Sequence, residues 1–165
     1  MSQNKELEII FLEGNASRRF GLQLDIDHFG MPESKLFRTL FDLGDYLGEL
    51  PKDKRLLFII GDEIEGSASN YFSDSLVEEA KNIPYKPHLI IEGIKSACKK
   101  QEITSFKSVV WTDGFTYHSK DVDAPFLYCH EHNIPVVNKV SFSDKDPNGI
   151  WGYIKKELNR DDITR

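Results

Sequence analysis

The sequence predicts an α/β protein, a three-layer sandwich on a mostly parallel central sheet of about five strands, with an antiparallel N-terminal hairpin at one edge. Three observations carry this prediction. First, the stretch from Lys107 to Phe142 has the order of a βαβ crossover. Its apolar segment Val109-Val110-Trp111 stops at a turn-forming Thr112-Asp113-Gly114. A helical segment follows, and a second apolar run opens at Ile134-Pro135-Val136-Val137. Second, Leu56-Leu57-Phe58-Ile59-Ile60 is apolar on both faces, as a strand in the middle of a covered sheet must be. Third, strand-like and helix-like segments alternate along the remainder, and the right-handed crossover rule makes helices on both sides of the sheet the economical arrangement.

Taken in order, Leu7 to Glu13 is a β-prone run closed by the turn residues Gly14-Asn15-Ala16-Ser17. From Phe20 to Phe29, Leu22, Leu24 and Ile26 alternate with Gln23, Asp25 and Asp27, which predicts a half-buried second strand. A loop carrying Arg18 and Arg19 joins the two strands into the hairpin. Pro32 and Glu33 then suit a helix first turn, and Leu36, Leu40, Leu43, Leu47 and Leu50 recur at spacings of four and three until Pro51 stops the pattern. Phe37 and Phe41 widen the stripe.

After the Leu56 to Ile60 strand, Gly61 to Ser69 reads as a small, acidic loop, and a helix is expected over 71–82. Leu89-Ile90-Ile91 is strand-prone, yet Ile90, Ile94, Ala97 and Cys98 lie at helical spacing with lysines at the end, so a helix is expected over 87–101. The turn cluster from Ser143 to Gly149 precedes a last helix that carries Ile150, Tyr153, Ile154 and Leu158 into the core. The tail from Asp161 to Arg165 is expected to fray.

The 165 residues are enough for one well-buried core, so a single domain over 1–165 is expected. Hydrophobic residues make up 39% and charged residues 29%, a balance that favours a packed fold over disorder. No stretch approaches the roughly 18–20 consecutive apolar residues of a membrane helix. The opening Met1-Ser2-Gln3-Asn4-Lys5-Glu6 lacks a secretory apolar segment, so cytoplasmic residence is expected. With 27 acidic against 21 basic side chains, the formal net charge of -6 repels nucleic-acid phosphates and suits a basic protein partner.

Ligands of open parallel sheets gather beyond the carboxyl ends of the strands. Two loops occupy such positions in the predicted order: Gly61 to Ser67, and Thr112 to His118. If their strands are neighbours, Asp62, Glu63, Asp113 and His118 converge into a set able to hold a hard cation through carboxylate oxygens, to hydrogen-bond ribose hydroxyls, or to supply a general acid and base. The competing reading makes these residues turn formers and helix caps. Neither loop matches GxGxxG or GxxxxGK[ST], and carboxylates there repel phosphate, so no nucleotide cofactor is expected.

Cys129-His130-Glu131-His132 offers only Cys129 and His132 on one helix face, which is short of a zinc site. Histidines placed at a helix end before Asn133 explain it instead. Asp144 to Gly149 matches the first half of a calcium loop, but its twelfth position is Lys155, where a bidentate carboxylate is required. No metal site is therefore expected. Cys98 and Cys129 lack CxxC spacing and read as buried thiols.

Two functions follow. The first is a non-enzymatic, acidic binding module, an immunity-type inhibitor that neutralises a basic toxin such as a nuclease. Its docking strip comprises Asp25, Asp27, Asp62, Glu63 and Glu65. The alternative is a small α/β enzyme or ligand-binding domain acting on a nucleoside-like or other small polar substrate through Asp62, Glu63, Asp113 and His118. The first needs a broad acidic surface with exposed aromatics, the second a cleft at the sheet's carboxyl edge.

Overall fold

The computed structural model describes residues 5–29, 34–61, 87–112, 129–138 and 149–159. It is an α/β fold in which five parallel strands form one sheet in the order β2-β1-β3-β4-β5. The strands are β1 (Leu7–Leu12), β2 (Ser34–Phe37), β3 (Arg55–Ile60), β4 (Phe106–Thr112) and β5 (Val136–Asn138). Helices α1 (Ala16–Phe29), α2 (Leu40–Leu47), α3 (Pro87–Lys100) and α4 (Ile150–Leu158) accompany them, with a further helical turn at 129–131. No helix among the described residues is long and apolar enough to cross a membrane.

The antiparallel hairpin is absent. Residues read as its second strand form α1, and β1 instead pairs in parallel with β2, Ile9 opposite Ser34 and Leu12 opposite Phe37. The reason lies in Leu22 and Ile26. They belong equally to a period of two and to a helical step of four, and the helix uses them alone: Leu22 is fully buried, Ile26 packs against the same cluster, and Leu24 is 53% exposed. Asn15 starts the helix, its Oδ1 accepting the Arg18 amide at 3.0 Å.

The helix predicted from Pro32 also divides. Residues 34–37 are a strand, and α2 begins at Leu40, where Thr39 provides a stronger start than Pro32-Glu33. Thr39 Oγ1 accepts the Asp42 amide at 3.1 Å and donates to the Asp42 carboxylate at 3.0 Å, a reciprocal cap three residues apart. Leu40, Leu43 and Leu47 keep the predicted stripe and are fully buried. Leu36 belongs to β2 and packs on the other cluster.

Strand alternation sorts the core. Ile10, Leu12, Phe58, Ile60 and Val110 pack with α2, α3 and Cys129, whereas Ile9, Phe11, Ile59, Val109 and Trp111 pack with Leu22 of α1 and with Ile150, Trp151 and Ile154 of α4. Within the second cluster Trp151 meets Phe11 edge-on, ring centroids 6.2 Å apart, and its Nε1 donates to Asp25 Oδ2 at 3.0 Å. That bond ties α4 to α1. Leu158, expected in the core, is 38% exposed, whereas Trp151 is fully buried.

One buried carboxylate lies within the sheet. Glu8 on β1 accepts a hydrogen bond from the Tyr46 hydroxyl, and Lys54 Nζ lies 3.5 Å from its other oxygen. Burial of a charge is tolerated when it is paired and hydrogen-bonded in this way.

Helix α3 confirms the helical reading of 87–101. It ends in a Schellman motif: Glu102 adopts φ 58°, its amide bonds Lys99 O at 3.2 Å, and the Ile103 amide bonds Cys98 O at 2.9 Å. The turn at 129–131 ends in the same way, with Asn133 at φ 55° and the Ile134 amide on Cys129 O at 2.8 Å. Both cysteines thus occupy equivalent places, about one helical turn before a left-handed residue. Burial pushes the Cys98 thiol up to about 12 and that of Cys129 up to about 11, so both stay protonated at neutral pH.

Two stabilising substitutions follow from this backbone. Glu102→Gly removes the steric cost of a left-handed side-chain-bearing residue and is expected to add about 1 kcal/mol to the unfolding free energy. Gly21 lies inside α1, and an added Cβ meets nothing within 4 Å. Gly21→Ala is expected to add about 0.5–1 kcal/mol. Urea titrations showing a higher midpoint for each at unchanged slope would agree; a lower midpoint would contradict the geometry.

Candidate functional site

The chain leaves β1 towards β2 on one side, while β3 lies on the other side of β1. This is the reversal of strand order that opens a crevice above the carboxyl ends of a parallel sheet. Among the described residues, Glu13, Gly14 and Asn15 follow β1 and Gly61 follows β3 at this reversal.

Backbone pairing continues past the strands to hold this rim. The Glu13 amide donates to Phe37 O at 2.9 Å, and the Gly61 amide donates to Leu12 O at 2.7 Å. Arg19, one turn into α1, reaches back with Nη1 to Glu13 O at 3.0 Å and Gly14 O at 2.6 Å. A single guanidinium nitrogen therefore fixes two successive carbonyls of the turn. The same turn receives the Asn15 cap described above.

The Glu13 side chain is 1% exposed, and its Oε1 accepts the Asn15 amide at 3.1 Å. Its other oxygen lies against the Cα of Gly61: a Cβ built there would come within 2.0 Å of Glu13 Oε2 and 3.0 Å of Leu12 O. Glycine at 61 is what lets the carboxylate lie across the end of β3. The group also sits at the amino end of α1, where the helix dipole favours negative charge.

Chemically this is a rigid acceptor pair at the crevice of the sheet. A carboxylate so held accepts hydrogen bonds from hydroxyl or amine groups and repels phosphate. The short Glu13-Gly14-Asn15 turn offers no glycine-rich phosphate cradle.

Of the residues singled out in the sequence, Asp62, Glu63, Glu65, Asp113 and His118 lie outside the described residues. The strands that precede them are neighbours, with Ile60 opposite Val110. Asp25 and Asp27 lie on α1 and not on a strand edge. Asp25 is half-buried and bonded to Trp151, and the exposed Asp27 accepts Gln23 Nε2 at 3.1 Å.

In the helix end, Cys129 is fully buried while His130 and His132 are exposed, so the cysteine and the histidines do not share an environment. Among the described residues no group of three or more potential ligands could hold a metal ion. Of the calcium-like turn only Gly149 is described, as the residue before α4.

In the sequence Glu13 closes an apolar run and reads as part of the strand, which hides it as a site residue. Its signal was positional: an acid at the strand's carboxyl end, then glycine, then an asparagine cap, marks a βα turn and not a hairpin.

Gly61→Ala is the direct test of this packing. It must displace the Glu13 carboxylate and crowd the Leu12 carbonyl, and a loss of about 1–3 kcal/mol in unfolding free energy is expected. Unchanged stability by urea denaturation would show that the carboxylate moves aside freely.

Comparison with known proteins adds no assignment: no protein-family model matches the chain, and no curated protein matches it.

Proposed function

We propose that this protein, as a three-layer α/β sandwich, binds a small polar, hydroxyl-bearing ligand of nucleoside type in the crevice between the carboxyl ends of β1 and β3. The observation that carries the reading is Glu13, a carboxylate 1% exposed at the reversal of strand order and set against Gly61. Ligand hydroxyls are donors that a carboxylate at this place in a parallel sheet can accept. In the enzymatic form of this reading, Asp62, Glu63, Asp113 and His118, which follow the neighbouring strands β3 and β4 in sequence, act as general acid and base. It requires no cofactor.

Titration calorimetry with adenosine, uridine and their 2′-deoxy counterparts tests it. Saturable binding of a ribonucleoside, weakened at least tenfold (about 1.4 kcal/mol) by Glu13→Gln, supports the proposal. Absence of heat for all four at millimolar concentration removes it.

A second reading, the acidic protein-binding module, draws on a different observation. Phe20 and Leu24, 67% and 53% exposed, lie four residues apart on α1, beside the exposed Asp27. With the net charge of -6, an exposed apolar pair with an acid at its side suits a basic partner such as a toxin nuclease encountered in the cytoplasm. If that reading holds, a Phe20→Ser, Leu24→Ser chain loses at least tenfold in affinity for a basic nuclease that the parent chain inhibits, at unchanged thermal stability. Equal inhibition by both chains would exclude this face.

A further inference from the structure

A second concavity lies along the first half of β4 on the β5 side, two strands across from β1. It encloses about 300 Å³, at the lower end of the size range of small-molecule sites.

Its origin is a stretch of β4 that β5 does not pair. The ladder between them starts at Val110 opposite Val136, and the Val110 amide donates to Pro135 O at 2.9 Å. Alternate residues of a strand present their backbone groups to the same side, so Ser108 turns its amide and carbonyl towards the unpaired space. Pro135 has no N–H to offer that carbonyl. Two residues earlier Asn133 adopts φ 55°, outside the range of a strand. Among the described residues no backbone bond links Ser108 to residues 133–135.

The Ser108 side chain is in the same state. It lines the concavity at 9% exposure, and among the described residues its Oγ has no hydrogen-bond partner. A buried hydroxyl is destabilising unless something bonds to it. The charged groups alongside are, by contrast, already engaged. Lys107 pairs with Glu157 at 3.1 Å, and Lys95 and His132 each have an interaction of their own. Tyr153 at the border stays a neutral phenol, its group pushed up to about 12 by burial and then by the Glu157 carboxylate. Ile91, Phe106 and Ile134 supply apolar walls.

The unanswered groups are therefore one N–H, one carbonyl and one hydroxyl, all on Ser108, and they select the occupant's chemistry. A carboxylate accepts from the N–H and the hydroxyl but has nothing to donate to the carbonyl, and its charge would have to leave water. An alcohol brings a single O–H. A carboxamide carries a donor and an acceptor together and no charge. An added peptide strand has no room to run on, because β5 already occupies the edge from Val110 onward.

From the gap in the ladder and the unmatched serine within it, we propose that this concavity binds a small neutral carboxamide with an apolar tail. The amide group meets the backbone and hydroxyl of Ser108, and the tail lies between Ile91, Phe106 and Ile134. The site is separate from the crevice at Glu13 and does not depend on what binds there.

Hexanamide is the probe, followed by amide shifts in ¹⁵N-labelled protein, with hexanoate and hexan-1-ol, which share its tail, as controls. Saturable shifts centred on Ser108, Ile91 and Ile134 are expected, and each control is expected to bind at least fivefold more weakly. Ser108→Ala is expected to weaken hexanamide at least threefold while raising Tm, because it deletes a hydroxyl that has no partner in the empty protein. Any of three results overturns the proposal: no saturable shift at tens of millimolar hexanamide, binding of hexanoate or hexanol as tight as that of hexanamide, or a Tm lowered by Ser108→Ala. The ligand comparison is made on the parent protein, so it is decisive whatever the variant does.

Discussion

The ladder between β1 and β3 is the constraint on which the rest of the structure depends. Six consecutive residues pair, from Leu7 opposite Arg55 to Leu12 opposite Ile60, and all six of β1 are buried. A strand buried on both faces cannot shift register by one residue without sending its apolar set to the opposite cluster. Such a shift would part Phe11 from Trp151 on one face and Glu8 from Tyr46 and Lys54 on the other. The register of β1 and β3 therefore fixes where Glu13 and Gly61 emerge, and their emergence side by side shapes the crevice.

Polar groups buried beside this ladder are each answered locally. Glu8 is met by a hydroxyl and an ammonium, Glu13 by the amide of the turn it begins, and the turn's carbonyls by Arg19. Gln101 does the same at the other end of α2: its amide nitrogen donates to Leu47 O, and its oxygen accepts the Leu50 amide at 3.1 Å. Side chains distant in sequence thus complete helix ends whose own residues cannot.

Much of this was legible in the sequence wherever one pattern excluded the other. The run Leu56 to Ile60 has no polar residue to confuse its reading, and the lysines closing 87–101 settled a helix against a strand. The misreadings fell where two periods share residues. Leu22 and Ile26 satisfy a strand and a helix alike, and only the tertiary fact that Leu24 is left outside decides between them. Leu36 happened to lie four before Leu40, so a strand residue was absorbed into the helix stripe that follows it. With the first helix lost, the first crossover was lost too, and with it the reversal of strand order. Glu13 therefore could not stand out as a site residue, since its meaning comes from strand order and not from its neighbours in sequence.

The sorting of side chains between the two faces of the sheet has a spectroscopic consequence. The chain has two tryptophans and two cysteines. Trp111 and Trp151 both belong to the cluster with α1 and α4, whereas Cys98 and Cys129 both belong to the cluster with α2 and α3. Intrinsic fluorescence therefore watches one face, and thiol reactivity watches the other. If the two halves of the core loosen at different stages of unfolding, the unmodified protein carries separate reporters that distinguish them.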